Sequence, residues 1–360
     1  MSASDLPAVL PDYAARAQAM MSDVNRAYFL SGAGNEATLR ANEADLAALT
    51  LRPRALRDLR GGHTQTTLLG RKLPHPILVA PFAYQSLLSP DGECATAQGA
   101  EAQQATMILS AQSSEPMQDV RAAGGTCRWF QLYWQATLDG TVTLANRAAD
   151  AGFEALVLTI DAPVNGIRDA EILAGFHLPE GVAPVNLTGL PHPRFAPLTP
   201  GESMIFDRIA HILPRWEDVA ALCRSSPLPI LIKGVLCAED ARAAVAAGAA
   251  GVIVSNHGGR VLDGAPSSIS VLPEVVAAVG ADLPVLMDGG LRRGADVFKA
   301  LALGAQAVLI GRPVIHGLTV AGALGVSHVL RLLRDELEVA MALTGCRMLD
   351  EITADRVGPT

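Results

Sequence analysis

Ala247-Gly248-Ala249-Ala250-Gly251-Val252-Ile253-Val254-Ser255 decides the fold, because in nine residues a glycine ends an alanine-rich helical run and a buried-type strand follows at once. Small and β-branched residues without polar alternation suit a strand covered on both faces. The same order returns in Ala151-Gly152-Phe153-Glu154-Ala155-Leu156-Val157-Leu158-Thr159 and in Leu303-Gly304-Ala305-Gln306-Ala307-Val308-Leu309-Ile310-Gly311. Recurrence of one local unit points to a repeated architecture. Outward from these three, short apolar runs at 77–80, 107–110, 129–132, 156–160, 230–232, 252–255, 284–287 and 307–310 alternate with helical patterns. Eight strands with intervening helices predict an α/β fold of the (β/α)8 or TIM-barrel type. An open doubly wound sheet needs no eighth strand and favours a Gly-x-Gly-x-x-Gly turn after its first strand, which is absent.

Around the barrel, residues 1–50 predict an N-terminal helical cover. The Gly32-Ala33-Gly34 bend would end one helix, and Asn35 would cap the next. The rhythm breaks between residues 172 and 227, where Pro179, Pro184, Pro191, Pro193, Pro197, Pro200 and Pro214 exclude an ordinary helix. This predicts a long, partly mobile loop over the barrel mouth, about residues 177–215, with a shorter helix resuming near Trp216. The whole chain, 1–360, is expected to form one domain.

Half of the residues are hydrophobic and 33 are glycine, which fits a large core with many tight turns. A net charge of −8 without a basic stripe argues against a nucleic-acid surface. Residues 1–18 lack the basic and apolar segments of a signal peptide, and we find no window of about 18 apolar residues free of charge. The expectation is a cytoplasmic protein without membrane attachment. Cys94, Cys127, Cys223, Cys237 and Cys346 are odd in number and widely spaced, so neither a disulfide framework nor a metal site is expected.

A barrel enzyme carries its chemistry where strands end. The sixth run spills into Asn256-His257-Gly258-Gly259-Arg260-Val261-Leu262-Asp263-Gly264-Ala265-Pro266. Gly258 and Gly259 allow the backbone to double back, so a histidine base and an arginine fork can face one small carboxylate. Taken alone, these residues also suit a structural histidine and a surface arginine. The other ends carry Pro81-Phe82-Ala83, Ser110, Gln131 with Tyr133, Thr159 with Asp161, Lys233, Asp288-Gly289-Gly290 with Arg292, and Gly311-Arg312. Gly289, Gly290, Arg292, Gly311 and Arg312, after strands seven and eight, suit a phosphate. Asp161 could orient His257 and stabilise its protonated form. A buried Lys233 needs a negative partner, and a Schiff-base lysine is the alternative.

The stretch from Val254 to Pro266 resembles the active-site signature of the FMN-dependent L-2-hydroxy acid oxidase and dehydrogenase family. Val261 departs from it, standing where the family often has Gln. The similarity extends over about residues 20–352 and implies an FMN-binding barrel that oxidises an L-2-hydroxy acid to the 2-oxo acid. It makes His257 the catalytic base, Arg260 and Arg168 the carboxylate binders, and Tyr28 and Tyr133 contacts for the carboxylate and hydroxyl. It further implies that Pro81, Phe82 and Ala83 lie along the flavin near N5, that Ser110, Gln131 and Thr159 serve its polar edge, and that Ser255 belongs to the cofactor site. Lys233 would then stand by N1 and O2, with reduced flavin as its negative partner, and Asp288 on the ribityl chain.

Gly166-Ile167-Arg168-Asp169-Ala170-Glu171 departs from the family's Gly-Arg-Arg-Glu-x-Asp, and Ile167 removes one charge. Gln112 and Asn165 stand where plant relatives have Trp and Leu, which suggests a more polar pocket for the substrate tail. The resemblance also implies a homo-oligomer, a tetramer or octamer. O2 or another carrier would be the acceptor, with no haem domain preceding the barrel. Ala83, where the family's monooxygenase variant has Gly, favours an oxidase or dehydrogenase. An FMN barrel acting as a diphosphate isomerase is the competing enzyme class, and a flavin-binding protein without catalysis is the competing non-enzyme.

Overall fold

The computed structural model describes residues 5–191 and 193–359, so residues 1–4 of the N-terminal stretch, His192 of the proline-rich stretch and Thr360 lie outside the described residues. Eight parallel strands close into a barrel in chain order: Ile77–Val79, Met107–Ser110, Cys127–Leu132, Ala155–Thr159, Ile230–Val235, Gly251–Val254, Val285–Met287 and Ala307–Ile310. The eighth returns to the first through the pairs Val308 with Ile77 and Ile310 with Val79. All eight apolar runs are strands, with ends displaced by up to three residues from the predicted ones.

Side-chain parity explains how the strands place a site. Successive side chains alternate between the barrel interior and the surrounding helices. Leu78, Ile108, Trp129, Val157, Leu231, Ile253, Leu286 and Leu309 form the inner cluster, and Leu68 and Leu73 of the hairpin Thr66–Leu68 and Arg71–Leu73 pack against it. Two residues further along the same inward series come Ala80, Ser110, Gln131, Thr159, Lys233, Ser255, Asp288 and Gly311. The interior is therefore apolar below and polar at the mouth. Leu156, Leu158, Val252 and Val254 have the opposite parity and join the outer core with the helices.

Three N-terminal helices, Leu10–Met20, Asp23–Leu30 and Ala37–Ala48, form the expected cover. Asn35 does not cap the third. Glu36 holds the cap position without a side-chain bond to the helix, and the carboxylate of Asp263 accepts instead from Asn35 N at 2.9 Å and Thr38 N at 3.0 Å. The cap therefore comes from the loop after strand six.

The expectation of no long charge-free apolar window also fails. Helix Arg312–Thr344 is long and apolar enough to cross a membrane by length and composition. It is broken at Ala321 and Gly322, whose backbone angles are not helical. Val314, Ile315, Leu318, Val326, Val329 and Leu333 along it belong to the barrel's outer core, which accounts for its hydropathy.

Between helices Asp169–Leu173 and Trp216–Ser225 the only helical pieces among the described residues are the single turns Val185–Leu187 and Ile209–Ile212. Asn186 ties this stretch down by accepting from Met117 N at 2.8 Å and donating to Glu115 O at 3.1 Å.

Candidate active site

One cavity of about 310 Å³ opens at the C-terminal mouth of the barrel. Every residue singled out above as a functional candidate lines it except Asp161 and Ser255, which stand directly behind it. Asp161 Oδ1 is 2.8 Å from His257 Nδ1. Ser255 Oγ accepts from Lys233 Nζ at 2.7 Å and from His257 N at 3.0 Å.

His257 is held in the left-handed region, at φ 59°, followed by Gly258 at 64° and Gly259 at 76°. Such a backbone is uncommon outside glycine and accumulates at functional sites. Three successive residues of this hand turn the chain so that His257 and Arg260 both face the cavity. Gly259 is required for a second reason, since a Cβ there would lie 2.6 Å from the backbone of Leu39. Strand five makes the matching concession. Its register shifts between Lys233 and Val235, and Gly234, at φ 110°, clears space that a side chain would take from Asp161.

Burial pushes the Asp161 carboxyl up, but the charges of His257 and Lys233 and the His257 hydrogen bond outweigh it, leaving its pKa below the ordinary value. An ionised Asp161 fixes the proton of His257 on Nδ1, so Nε2 faces the cavity as an acceptor. Tyr133 Oη lies 3.5 Å from that Nε2. Burial raises the pKa of both Tyr28 and Tyr133, so both remain protonated donors.

Arg260 is buried, donates from Nη1 to Ser31 O at 2.9 Å, and lies 5.5 Å from the centre of the Tyr28 ring. Arg168 shares the cavity wall, with Nε 2.9 Å from Glu171 Oε2. Phe176 stacks on Tyr28 with centroids 4.2 Å apart. The sequence reading missed Glu171 and Phe176 as site residues. Their shared signal was position, since both follow Arg168 in the segment that leaves strand four.

Across the mouth, Ser110 Oγ donates to Gln131 Oε1 at 3.1 Å and Gln131 Nε2 to Thr159 Oγ1 at 3.1 Å. Lys233 Nζ lies 3.1 Å from Asp288 Oδ2, a built-in carboxylate partner that the sequence reading did not foresee. Burial lowers the Lys233 pKa, yet Asp288 and Asp161 outweigh it and hold the ammonium form.

Beyond Lys233 the cavity wall carries Arg292 and Arg312. Arg312 is buried, and burial together with the charges of Arg292 and Arg260 brings its pKa down to about 9. Its Nη1 and Nη2 reach Gly258 O and Ser31 O, while Nε has no hydrogen-bond partner among the described residues. Arg292 pairs with Glu43 at 2.7 Å. The glycines here need a revised reading. A Cβ on Gly290 would lie 2.2 Å from Asn42 O, and one on Gly311 2.7 Å from the Phe82 ring, so the protein itself demands both.

The sequence pattern of the FMN-dependent dehydrogenases matches residues 17–359. The chain belongs to that family. Among relatives of this FMN-dependent dehydrogenase are an L-lactate oxidase of Roseobacter sp. (strain GAI101), 51% identical over 97% of this chain and 94% of the relative, and glycolate oxidase 1 of Zea mays, 45% identical over 96% and 94%. A mandelate oxidase structure with benzoyl-formic acid superposes with a TM-score of 0.87 at 40% identity, covering 99% of each chain. In this FMN-dependent dehydrogenase the cavity fits the group that the family name requires. It offers buried Arg312 with Nε unpaired among the described residues, and Asp288 Oδ1 is a buried acceptor without a donor among them.

Proposed function

We propose that this FMN-dependent dehydrogenase oxidises an L-2-hydroxy acid to the 2-oxo acid, with O2 as the acceptor of the electrons. The observation that carries the reading is His257, held by Asp161 at 2.8 Å from behind and set in the same cavity wall as Arg168 and Arg260. A base beside two guanidiniums suits a substrate with a carboxylate next to the carbon that loses its proton. The relatives named lactate, glycolate and mandelate oxidase support both the substrate class and oxygen.

FMN would supply the electron-pair acceptor, with its phosphate by Arg292, Arg312 and the backbone of Gly289 and Gly311, its ribityl chain by Asp288, and its ring among Pro81, Phe82, Ala83, Ser110, Gln131, Thr159, Ser255 and Lys233. Arg168 and Arg260 hold the substrate carboxylate, with Tyr28 donating to it. Tyr133 holds the hydroxyl end. His257 Nε2 takes a proton as the substrate is oxidised, and the ionised Asp161 stabilises the imidazolium so formed. Lys233 keeps a positive charge at the ring's polar edge, where reduction places negative charge. Leu187 of the proline-rich stretch lines the cavity, which supports that stretch as a shield of this step from water, and the family resemblance supports a tetramer or octamer of this single FMN-binding domain. The diphosphate isomerase has no observation in its favour.

His257→Ala tests the reading. The purified variant should stay yellow, while anaerobic flavin reduction by L-lactate or glycolate slows by about 10²- to 10⁴-fold. Reduction within about threefold of wild type would place the base elsewhere.

A further inference from the structure

Among the described residues, Glu171 is the one carboxylate within ion-pair distance of Arg168 and Arg260. It sits in the short helix Asp169–Leu173, with Oε2 2.9 Å from Arg168 Nε and 4.0 Å from Arg260 Nη2. The side chains of Arg168, Arg260 and Glu171 are 17%, 10% and 16% exposed. Both arginines line the cavity and Glu171 does not, so the acid stands behind them. Although it is close to Arg168, Glu171 Oε2 makes no aligned hydrogen bond and is shielded from solvent. Charge, rather than direction, is therefore its main contribution.

Two guanidiniums on one wall repel each other, and a single acid offsets half of their charge. The wall then presents one net positive charge to the cavity. A ligand with one carboxylate neutralises it, and a second negative charge on the same ligand meets no remaining cation at that end. In a site screened from water such an imbalance acts over several ångströms. An aspartate at this position would be one methylene shorter and could serve Arg168 without reaching as far toward Arg260.

We propose that Glu171 is a specificity-determining residue that sets the charge of the carboxylate end, selecting singly charged 2-hydroxy acids over doubly charged ones. The inference rests on the proposed role of Arg168 and Arg260 as carboxylate binders, and the experiment separates the two.

Oxalate, a dianion, and pyruvate, a monoanion, are titrated into the oxidised flavin-containing enzyme, and binding is read from the change in flavin absorbance without turnover. Glu171→Gln removes the charge and keeps the shape. At about threefold in affinity per ligand charge, pyruvate should bind about threefold tighter and oxalate about tenfold tighter. The oxalate-to-pyruvate preference therefore rises by about threefold. Glu171→Asp, which draws the charge away from Arg260, should shift the preference the same way by less, and it serves if the Gln variant does not fold. Steady-state kinetics should show the same shift as a change in the KM ratio for dicarboxylic against monocarboxylic 2-hydroxy acids. An unchanged oxalate-to-pyruvate ratio in both variants overturns the role given to Glu171. If Arg260→Lys binds both ligands as tightly as wild type, the reading of the carboxylate end itself fails, whatever Glu171 does.

Discussion

The side-chain amides of Asn42 and Asn256 exchange two hydrogen bonds, Asn42 Nδ2 to Asn256 Oδ1 at 2.9 Å and Asn256 Nδ2 to Asn42 Oδ1 at 2.8 Å. Asn256 adjoins His257, and Asn42 lies in the third helix of the N-terminal cover, so a buried clasp joins that cover to the loop that carries the base. Asn256 Oδ1 also accepts from Gly259 N, and Asn42 Oδ1 from Ser268 N. Removing the Asn42 amide takes one bond from each end of the Asn256 amide, which keeps Gly259 N and Pro266 O, and takes from Ser268 N its acceptor. Asn42→Ala should therefore destabilise the protein by about 1–3 kcal/mol, seen as a lower midpoint of thermal unfolding. A midpoint equal to that of wild type would mean that the clasp is dispensable.

Acid should unlock a different pair. The folded pKa of Asp161 is depressed, so its ionised form contributes stability that is complete above the unfolded value, about 3.9, and is lost as pH falls through the folded value. Asp161→Asn should have a lower unfolding midpoint than wild type at about pH 6–7, and the gap should narrow below about pH 4. A gap that widens on acidification would contradict the sign.

At the phosphate end, two substitutions should part company. Gly290→Val puts a side chain into the backbone of Asn42 at a φ of 79° and should yield little folded protein. Arg292→Ala, at a partly exposed side chain paired with Glu43, should fold and release FMN more readily. A lost charge-assisted contact corresponds to roughly ten- to hundredfold in affinity, measured by flavin fluorescence on dilution. Unchanged FMN retention would remove Arg292 from the phosphate site.

The polar-tail expectation separates into two residues. Gln112 is partly buried on the cavity wall, and no hydrogen bond to its side-chain amide is found among the described residues. Asn165 is exposed at the rim, where water satisfies it. Gln112→Leu should move kcat/KM severalfold toward L-2-hydroxyisocaproate over glycolate, and Asn165→Leu should change the ratio little. Equal effects of the two would mean that the rim, not the wall, reads the tail.

The barrel was legible in the sequence because three strands repeat one local signal, glycine then a buried run, and the other five are short buried runs in the same rhythm, none of which needs a distant partner. Parity carried the same legibility into the site, since Thr159, Lys233, Ser255 and Asp288 extend inward-facing series that begin in the apolar core. What stayed hidden was set by residues far apart in the chain. Asp263 caps a helix that begins more than 200 residues earlier, so Asn35 looked like the cap. The need for glycine at position 290 comes from Asn42, and the partner of Lys233 is decided where strands five and seven end. The long apolar window at 312–344 was misjudged for a related reason, because its hydropathy answers to the outer core rather than to its own length.

The barrel closes by pairing Ile77–Val79 with Ala307–Ile310, and Leu49–Leu51 finds its partner only at Val357–Pro359. A ribosome releases the early member of each pair long before the late one. At about 5–20 residues per second, the edge at 77–79 waits roughly ten to fifty seconds for its partner to be translated. An unpaired strand edge is a template for another chain. The nascent protein thus passes through a prolonged interval of aggregation risk, and its yield in a cell should depend on translation speed and on chaperones that shield that edge.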